Sequence, residues 1–202
     1  MRIAIIGAGN VGTALGKQFV KTGHEVVYGV KDPAGPKYKA LKPRTVKDAV
    51  SFADVVVLAT PWPATEAAIR SAGSLAEKIV VDCINPLKPD LSGLALGHTD
   101  SAAEQIARWA PGAKVVKAFN QTGADNMANP SYGAQKPVMF VAADDAGAKQ
   151  TVMQLVSGVG FDAVDAGPLA NARLLEPLAM LWIYLAFHGL GRNIAFALLK
   201  RS

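Results

Sequence analysis

Short runs of apolar residues alternate with amphipathic, alanine-rich segments along most of the chain. Runs rich in Val and Ile predict buried strands, because strands of a parallel sheet are covered on both faces. These runs lie at residues 3–6, 25–30, 55–59, 79–83, 115–119, 138–142 and 161–164. Helical spacing predicts helices at 11–22, 45–52, 63–72, 101–110 and 145–157, loops at 86–97 and 121–136, and helix from 170 onward with a break near Gly189 and Gly191.

Local signals support several of these helix starts. Thr45 can cap a helix whose first turn contains Asp48, and Pro63 suits a first helical position. Ser101 and Glu104 form a capping-box pair. The alternation of strands and helices predicts an α/β fold: a doubly wound, mainly parallel sheet with helices on both faces and a C-terminal apolar helix.

The length of 202 residues predicts a single domain over 1–202, with the segment 170–202 packing on it or on a second subunit. A single cysteine excludes a disulfide framework and indicates a reducing compartment. No secretory signal is recognisable, and the longest apolar stretch, 178–190, is too short to cross a bilayer, so we expect a cytoplasmic protein without a membrane segment. The three histidines lie too far apart for a local metal-ligand pair, so no metal site is expected.

The net charge of +5 is concentrated in one segment. Residues 31–47 contain one acid, Asp32, and six bases, namely Lys31, Lys37, Lys39, Lys42, Arg44 and Lys47, whereas bases and acids balance elsewhere. The segment is either a solvated basic loop or part of a pocket for an anionic ligand. A nucleic-acid partner is not expected, because the segment has one aromatic residue and matches no nucleic-acid module.

A glycine-rich turn follows the first predicted strand. Its residues are Gly7, Ala8, Gly9, Asn10, Val11 and Gly12, a complete G-x-G-x-x-G between a strand and a helix. In this context the glycines permit a tight turn, close approach of a pyrophosphate and close packing of helix on strand. The motif predicts a Rossmann-like sheet that binds a dinucleotide at the N-terminus of the helix.

The second predicted strand bears on which dinucleotide is bound. A site for NAD needs an acid near the end of that strand to hold the ribose hydroxyls. Here the strand ends at Val30 and Lys31 follows, so a cation is available for the 2′-phosphate of NADP. Asp32, the next residue, keeps NAD open as the alternative.

Uncharged polar residues follow the other predicted strands. They are Thr60, Pro61 and Trp62, then Asn85, then Asn120 and Gln121. Amides and hydroxyls suit a nicotinamide ring and its ribose, but no group at these ends can transfer a proton to a substrate oxygen. This favours a hydride acceptor that manages its own proton, such as a flavin-like ring. The alternative is a base from the 121–136 loop or the C-terminal helix.

Several segments together resemble the NADPH-dependent deazaflavin (coenzyme F-420) reductase family. They are GAGNVG at 7–12, GVK at 29–31, ATPW at 59–62, DCINPL at 82–87, KAFNQTG at 117–123 and DAGPLANARLLEPLA at 165–179. The resemblance extends over essentially the whole chain, and the same domain is the oxidoreductase part of the six-transmembrane epithelial antigen metalloreductases.

The resemblance implies that NADPH is the cofactor and that coenzyme F-420 or a flavin is the second substrate. It also implies that Ala8, Asn10 and Val11 contact the pyrophosphate, Lys31 the 2′-phosphate, and Thr60 and Pro61 the nicotinamide ribose. Family members are expected to carry serine and arginine at 30 and 31. The Val30 and Lys31 of this chain weaken that clamp, because lysine is a point charge where arginine binds phosphate with two N–H groups.

The C-terminal segment leaves two arrangements open. Residues 178–187 are apolar on every face, so they are enclosed either by their own domain or in a symmetric homodimer. Trp182 and Tyr184 are expected to be packing residues. Arg173 anchors the preceding loop, pairs with Glu176, or binds an anionic acceptor.

Two other functions stay open besides hydride transfer to a deazaflavin or flavin. One is a redox sensor that binds NADP without turnover. The other is a reductase of a small imine or carbonyl substrate that resembles pyrroline-5-carboxylate reductase. Such relatives carry a large helical domain after the Rossmann unit, for which too few residues remain here.

Overall fold

The computed structural model describes residues 1–201, without the side chain of Lys39. Its strands are β1 (Arg2–Ile6), β2 (Glu25–Val30), β3 (Arg44–Thr45), β4 (Val55–Leu58), β5 (Ile79–Asp82), β6 (Lys114–Lys117), β7 (Val138–Ala143) and β8 (Asp162–Asp165). Its helices are α1 (Asn10–Lys21), α2 (Val46–Phe52), α3 (Trp62–Ser71), α4 (Ala102–Trp109), α5 (Ala124–Ala128), α6 (Ala146–Val159) and α7 (Ala172–Leu185).

The eight strands form one sheet in the order β3-β2-β1-β4-β5-β6-β7-β8. All neighbouring pairs are parallel except β6 with β7, which is antiparallel. The predicted Rossmann-like, doubly wound sheet is therefore confirmed, and its first six strands have the order of a dinucleotide-binding sheet. The chain order reverses between β1 and β4, so a crevice opens there at the carboxyl ends of the strands.

Two apolar layers cover the two faces of the sheet. One is centred on Leu15 and Phe19 of α1 and on Val152 and Leu155 of α6, and it also includes residues of α5. The other is formed by α2, α3 and α4, with Ile69 and Ile106 buried against the sheet. Because both faces are covered, only the strand ends and the loops that follow them are available to a ligand.

The predicted helix starts are confirmed at their caps. The Thr45 hydroxyl accepts a hydrogen bond from the amide of Asp48, and the Ser101 hydroxyl accepts one from the amide of Glu104. The Glu104 side chain does not return to the amide of Ser101, which donates to Asp100 instead. Ser101 is therefore a cap, but the reciprocal half of the capping box is absent.

Three predicted segments differ from the structure. The 121–136 loop contains α5, and the basic segment contains a 3₁₀ turn at Pro36–Leu41 and the short edge strand β3. Beyond a single π-helical turn at Ala186–Leu190, residues 191–201 are not helical. Instead the segment runs back along the molecule, where the carbonyl of Phe196 accepts a hydrogen bond from the amide of Val138. A hydrogen bond to the first residue of β7 is formed there in place of helical hydrogen bonds.

The predicted enclosure of residues 178–187 holds for only one face of α7. Ala179 and Trp182 are buried, and the Trp182 indole donates a hydrogen bond to the carbonyl of Ile194. Leu181 and Tyr184 are 48% and 53% exposed, so their own domain does not enclose this face and Tyr184 is not a packing residue within one chain. Within residues 1–201, every helix falls short of the length and apolar character needed to cross a membrane.

Candidate functional site

The turn from β1 to α1 places backbone where a ligand can approach it. Gly7 has φ of +106°, and a Cβ there would lie 2.5 Å from the carbonyl oxygen of Ala59. Only glycine therefore fits between β1 and β4. Ala8 follows at the floor of the crevice, Gly9 precedes α1, and Asn10, Val11 and Gly12 form the first turn of α1.

The N-terminus of α1 is suited to an anion. Gly9 provides no side-chain cap, and the first turn contains no acidic residue. A Cβ built on Gly9 would meet no protein atom within 4 Å, so open space lies in front of this backbone. A helix N-terminus without a cap or an acid, facing open space, fits the pyrophosphate of a dinucleotide.

A cavity of about 540 Å³ lies at the point where the strand order reverses. Five residues predicted for the cofactor line it: Gly7, Ala8, Lys31, Thr60 and Pro61. They come from the ends of β1, β2 and β4, which are adjacent in the sheet. The cavity is therefore continuous with the glycine turn and has the position expected for a dinucleotide.

The two charged residues after β2 have different surroundings. Lys31 lines the cavity. Asp32 is engaged in its own turn, because its Oδ1 accepts a hydrogen bond from the amide of Ala34 at 3.2 Å and its carbonyl accepts one from Gly35 at 3.2 Å. Lysine at the cavity wall and an aspartate held by a turn favour a 2′-phosphate over a pair of ribose hydroxyls.

Other lining residues were missed by the sequence analysis. They are Tyr38 from the 3₁₀ turn, Val46 at the start of α2, and Ala64, Ala67, Ala68 and Ser71 from α3. The α3 residues are all small and recur at helical spacing, which indicates a face that something approaches closely. That pattern was available in the sequence. The position of Tyr38 was not, because it depends on the fold of the basic segment.

Trp62 lies outside this cavity. Its indole stacks on Trp109 of α4, with ring centroids 5.3 Å apart and an angle of 25° between the rings. It therefore joins α3 to α4 and does not line the predicted cofactor site. The neighbouring Thr60 hydroxyl is 3.0 Å from the hydroxyl of the buried Thr65, which fixes its orientation at the start of α3.

The amide side chains at the ends of β5 and β6 form a second group. Asn85 donates from Nδ2 to the carbonyl of Asn120 at 2.7 Å, and Asn120 donates from Nδ2 to Asn85 Oδ1 at 3.0 Å and to the carbonyl of Leu175 at 2.9 Å. Gln121 donates to the carbonyl of Val138. Asn120 Oδ1 and Gln121 Oε1 are buried and accept no hydrogen bond from residues 1–201. These two oxygens therefore have unused hydrogen-bonding capacity, although neither is exposed to solvent.

A buried charged cluster lies next to these amides and was also missed. It consists of Asp82 at the end of β5, Lys117 at the end of β6 and Glu176 on α7, whose side chains are fully buried. Burial alone would lower the pKa of the Lys117 ammonium, but Asp82 and Glu176 raise that pKa above its ordinary value. Burial raises the pKa of Glu176, against the opposing effect of Lys117. The sequence did contain a signal for this cluster, because Asp82 and Lys117 are charged residues that each end a Val-rich strand.

Arg173 binds Glu104 and not Glu176. Its Nε and Nη2 donate to the two carboxylate oxygens of Glu104 at 2.9 Å and 2.6 Å. The hydrogen bonds from Arg173 lower the pKa of the Glu104 carboxyl below its ordinary value. Glu176 is unavailable to Arg173, because it accepts hydrogen bonds from Lys117 and from the amides of Ala102 and Ala103.

The sheet order, the glycine turn and the cavity define a Rossmann-type dinucleotide-binding protein. Residues 2–86 match the family model described as NADP oxidoreductase, coenzyme F420-dependent. The F420-dependent NADP reductase of Methanothermobacter thermautotrophicus is 32% identical over an alignment of 220 positions, gaps included. The alignment covers 96% of this chain and 92% of that protein. The chain belongs to this family and is an NADP-dependent oxidoreductase.

Two further relatives show how much of the chain these similarities cover. A crystal structure from Arthrobacter sp. FB24, provisionally named an F420-dependent NADP-reductase, has 34% identity, a TM-score of 0.90, and coverage of 99% of this chain and 100% of the other. Metalloreductase STEAP3 of Rattus norvegicus is 32% identical over 203 residues, and the chain spans 40% of its length. A reductive aminase from Aspergillus terreus, with 20% identity and a TM-score of 0.66, shares the fold alone.

Proposed function

We propose that this chain transfers a hydride between NADPH and a deazaflavin or flavin-type ring. The observation that carries the proposal is the chemistry of the strand ends. Thr60, Asn85, Asn120 and Gln121 offer hydroxyl and amide groups there, and the charged groups nearest to the amides, Asp82 and Lys117, are fully buried and bonded to each other. A ring acceptor that takes its proton from solvent needs no proton donor from the protein.

The described residues support a division of the cofactor between two parts of the site. Ala8, Asn10 and Val11 would bind the pyrophosphate with backbone N–H groups, and Lys31 would pair with the 2′-phosphate. Thr60 and Pro61 would lie beside the nicotinamide ribose. When bound, NADPH supplies the hydride, and the protein holds the reacting ring in place and excludes water.

The second group of residues would face the nicotinamide ring and the acceptor. Asn120 Oδ1 and Gln121 Oε1 receive no hydrogen bond from residues 1–201, and the carboxamide of a nicotinamide carries two N–H donors. Because both oxygens are buried, the carboxamide would bond to them only after the side chains at this surface move apart. Asn85 is locked against Asn120 and would shape the same surface. Arg173 would contact an anionic acceptor only by sharing its guanidinium with Glu104.

An apolar cavity offers a place for the acceptor ring. It has a volume of about 470 Å³ and lies between the loop at residues 90–92 and α7 with its π-helical turn. Met180, Ile183, Tyr184, Phe187 and His188 line it, and Tyr184 stacks on His188 with ring centroids 4.0 Å apart. Apolar and aromatic walls of this kind suit a planar tricyclic ring.

The exposed face of α7 supports a homodimer. Each chain in it would act as one domain over 1–202. Leu174, Leu181 and Tyr184 lie on that face and Phe187 follows in the π-helical turn, and Leu174 and Phe187 are 67% and 62% exposed. These four residues form an apolar stripe, and large apolar side chains exposed together to water are unfavourable in a monomer. A second copy would cover it through the same stripe, as a two-fold interface requires, and would also close the acceptor cavity.

The test is a titration with NADPH and NADH, followed by coenzyme F-420 and then FMN while the absorbance of the reduced nicotinamide is recorded. We expect NADPH to bind more tightly than NADH and to be consumed only after an acceptor is added. Binding of NADPH without oxidation by either acceptor would contradict hydride transfer to such rings and would favour the redox sensor.

Reduction of a small imine or carbonyl compound is less well supported. The reductive aminase shares the fold at 20% identity, and this chain covers 62% of it. Consumption of NADPH with cyclic imines but not with deazaflavin would favour that function.

A further inference from the structure

Lys117 makes three hydrogen bonds inside the protein, two to the end of β5 and the residues that follow it and one to α7. Its Nζ is 2.9 Å from Asp82 Oδ2 on β5 and 2.8 Å from Glu176 Oε1 on α7. It also donates to the carbonyl oxygen of Ile84 in the loop after β5. An ammonium has three donors, so every N–H of Lys117 is used, and its side chain has no exposure to solvent.

This cluster is not explained by stability alone. Three charges removed from water carry a large desolvation penalty, and apolar residues of similar volume often give equal or higher stability. What apolar residues cannot do is fix the position of a backbone carbonyl. The hydrogen bonds of Lys117 therefore point to a role in holding neighbouring groups in place.

The same bonds hold the segment that carries the amide pair. Asp82 Oδ1 accepts the amide N–H of Ile84 at 2.8 Å, so both backbone polar groups of Ile84 are held within the cluster. The next residue is Asn85, which is bonded to Asn120, three residues after Lys117. Asn120 in turn donates to the carbonyl of Leu175, the residue before Glu176. A charged layer and an amide layer thus connect the same three elements.

We propose that Lys117 is a positioning residue for hydride transfer, which through Ile84 and Glu176 fixes the Asn85–Asn120 pair against the nicotinamide end of the site. This inference rests on the function proposed above. It assigns no contact with cofactor or acceptor to Lys117 itself. Its effect is on the placement of the reacting ring, and a displacement of about 1 Å can reduce a rate by about 100-fold.

The first test is Lys117→Met, which keeps a long side chain and removes the three donors. We expect the Kd for NADPH to change by less than about threefold, because the cavity at β1, β2 and β4 is left intact. The single-turnover rate of hydride transfer, corrected for the folded fraction, is expected to fall by about 10- to 100-fold. A rate that falls only as the folded fraction falls would overturn the proposal.

A double variant separates positioning from stability. Lys117→Met leaves two buried carboxylates without a cation, whereas Lys117→Met with Glu176→Gln restores the net charge of the cluster. We expect the double variant to be more stable than Lys117→Met, because one buried carboxylate is left without a cation and not two, and to regain none of the lost rate, because the bond to the Ile84 carbonyl stays absent. Recovery of rate together with stability would show a purely structural role.

Two further measurements cover the remaining outcomes. Lys117→Arg keeps the cation, but its planar fork cannot direct donors to the same three oxygens. We expect it to fold and to lose rate as Lys117→Met does, and a wild-type rate would contradict the proposal even if neither methionine variant folds.

The fluorescence of bound NADPH reports the environment of its ring without turnover. If no acceptor oxidises NADPH in the wild-type protein, the proposed function fails, and equal fluorescence of wild-type and variant complexes would separately overturn the role of Lys117.

Discussion

The Cα of Gly12 faces the carbonyl oxygen of Gly7, and a Cβ on Gly12 would lie 2.0 Å from that oxygen and 3.1 Å from Ile5 Cγ2. The first turn of α1 therefore packs directly on the end of β1. Gly9, between them, has no protein atom within 4 Å of its Cβ position. Two glycines of one motif thus serve different purposes, Gly12 for the fold and Gly9 for the ligand.

This difference predicts opposite results for two alanine variants. Gly12→Ala forces a methyl group into the backbone of Gly7 and is expected to destabilise the native state by about 1–3 kcal/mol. Gly9→Ala is expected to change stability by less than about 0.5 kcal/mol, because its φ of −82° suits alanine and its surroundings are open. Its methyl group would project toward the pyrophosphate and raise the Kd for NADPH by about tenfold or more.

Denaturant unfolding and NADPH titration of both variants check this prediction. Each variant is the control for the other, since both add one methyl group to the same turn. Full affinity in Gly9→Ala would show that no phosphate approaches this backbone.

Lys31 is expected to determine the preference for NADP. Lys31→Ala removes the cation at the cavity wall and is expected to raise the Kd for NADPH by about 10- to 100-fold, the effect of losing a hydrogen bond to a charged group. The Kd for NADH is expected to change by less than about threefold, because NADH lacks the 2′-phosphate. Lys47→Ala, an exposed lysine of the same basic segment, is the matched control. Equal losses for the two cofactors would contradict a specific role.

Patterns that follow local physics were predicted well. The strand at 25–30 and the cap at Ser101 were recognised because strand burial and helix capping leave a signal within a few residues. The glycine turn and Lys31 were found for the same reason, since strand, turn and helix follow each other along the chain. Their place beside Thr60 followed from the rule that parallel strands end at one edge of the sheet.

Features that depend on distant contacts were not predicted. A pair with Glu176, three residues away, was one of the three roles left open for Arg173, but Glu176 binds Lys117, which is 59 residues away. Residues 191–201 were expected to continue the helical pattern, yet the Ile194 carbonyl accepts hydrogen bonds from Asn126 and Trp182. In both cases a partner brought close by the fold outweighs local preference.

The ion pair between Glu104 and Arg173 predicts a pH dependence of stability. Hydrogen bonds from Arg173 lower the pKa of Glu104 in the native state, so the unfolded chain holds that proton more tightly. The pair therefore stabilises the native state above the ordinary pKa of glutamate, and this contribution is lost as the pH falls through the lowered value. We expect Glu104→Gln to have a lower Tm than the wild type near pH 7, and the difference to shrink as the pH falls below the ordinary pKa of glutamate, about 4.3. A difference that stays constant over this range would show that the pair does not titrate.

The apolar face of α7 predicts that a single charge abolishes self-association. Leu181 is half exposed in the middle of the stripe, so Leu181→Glu adds little strain to one chain, but it would bury an unpaired carboxylate between two chains. We expect the dimer Kd to rise by about 100-fold or more, with the mass from light scattering falling from that of two chains to that of one. Leu199→Glu is the control, since Leu199 is 79% exposed and lies beyond the stripe. Because the cavity proposed for the acceptor is lined by Tyr184 and Phe187 of the same stripe, the Leu181→Glu protein is also expected to bind NADPH normally while its KM for the acceptor rises. A wild-type protein that is monomeric at micromolar concentration would remove the basis for the proposed dimer.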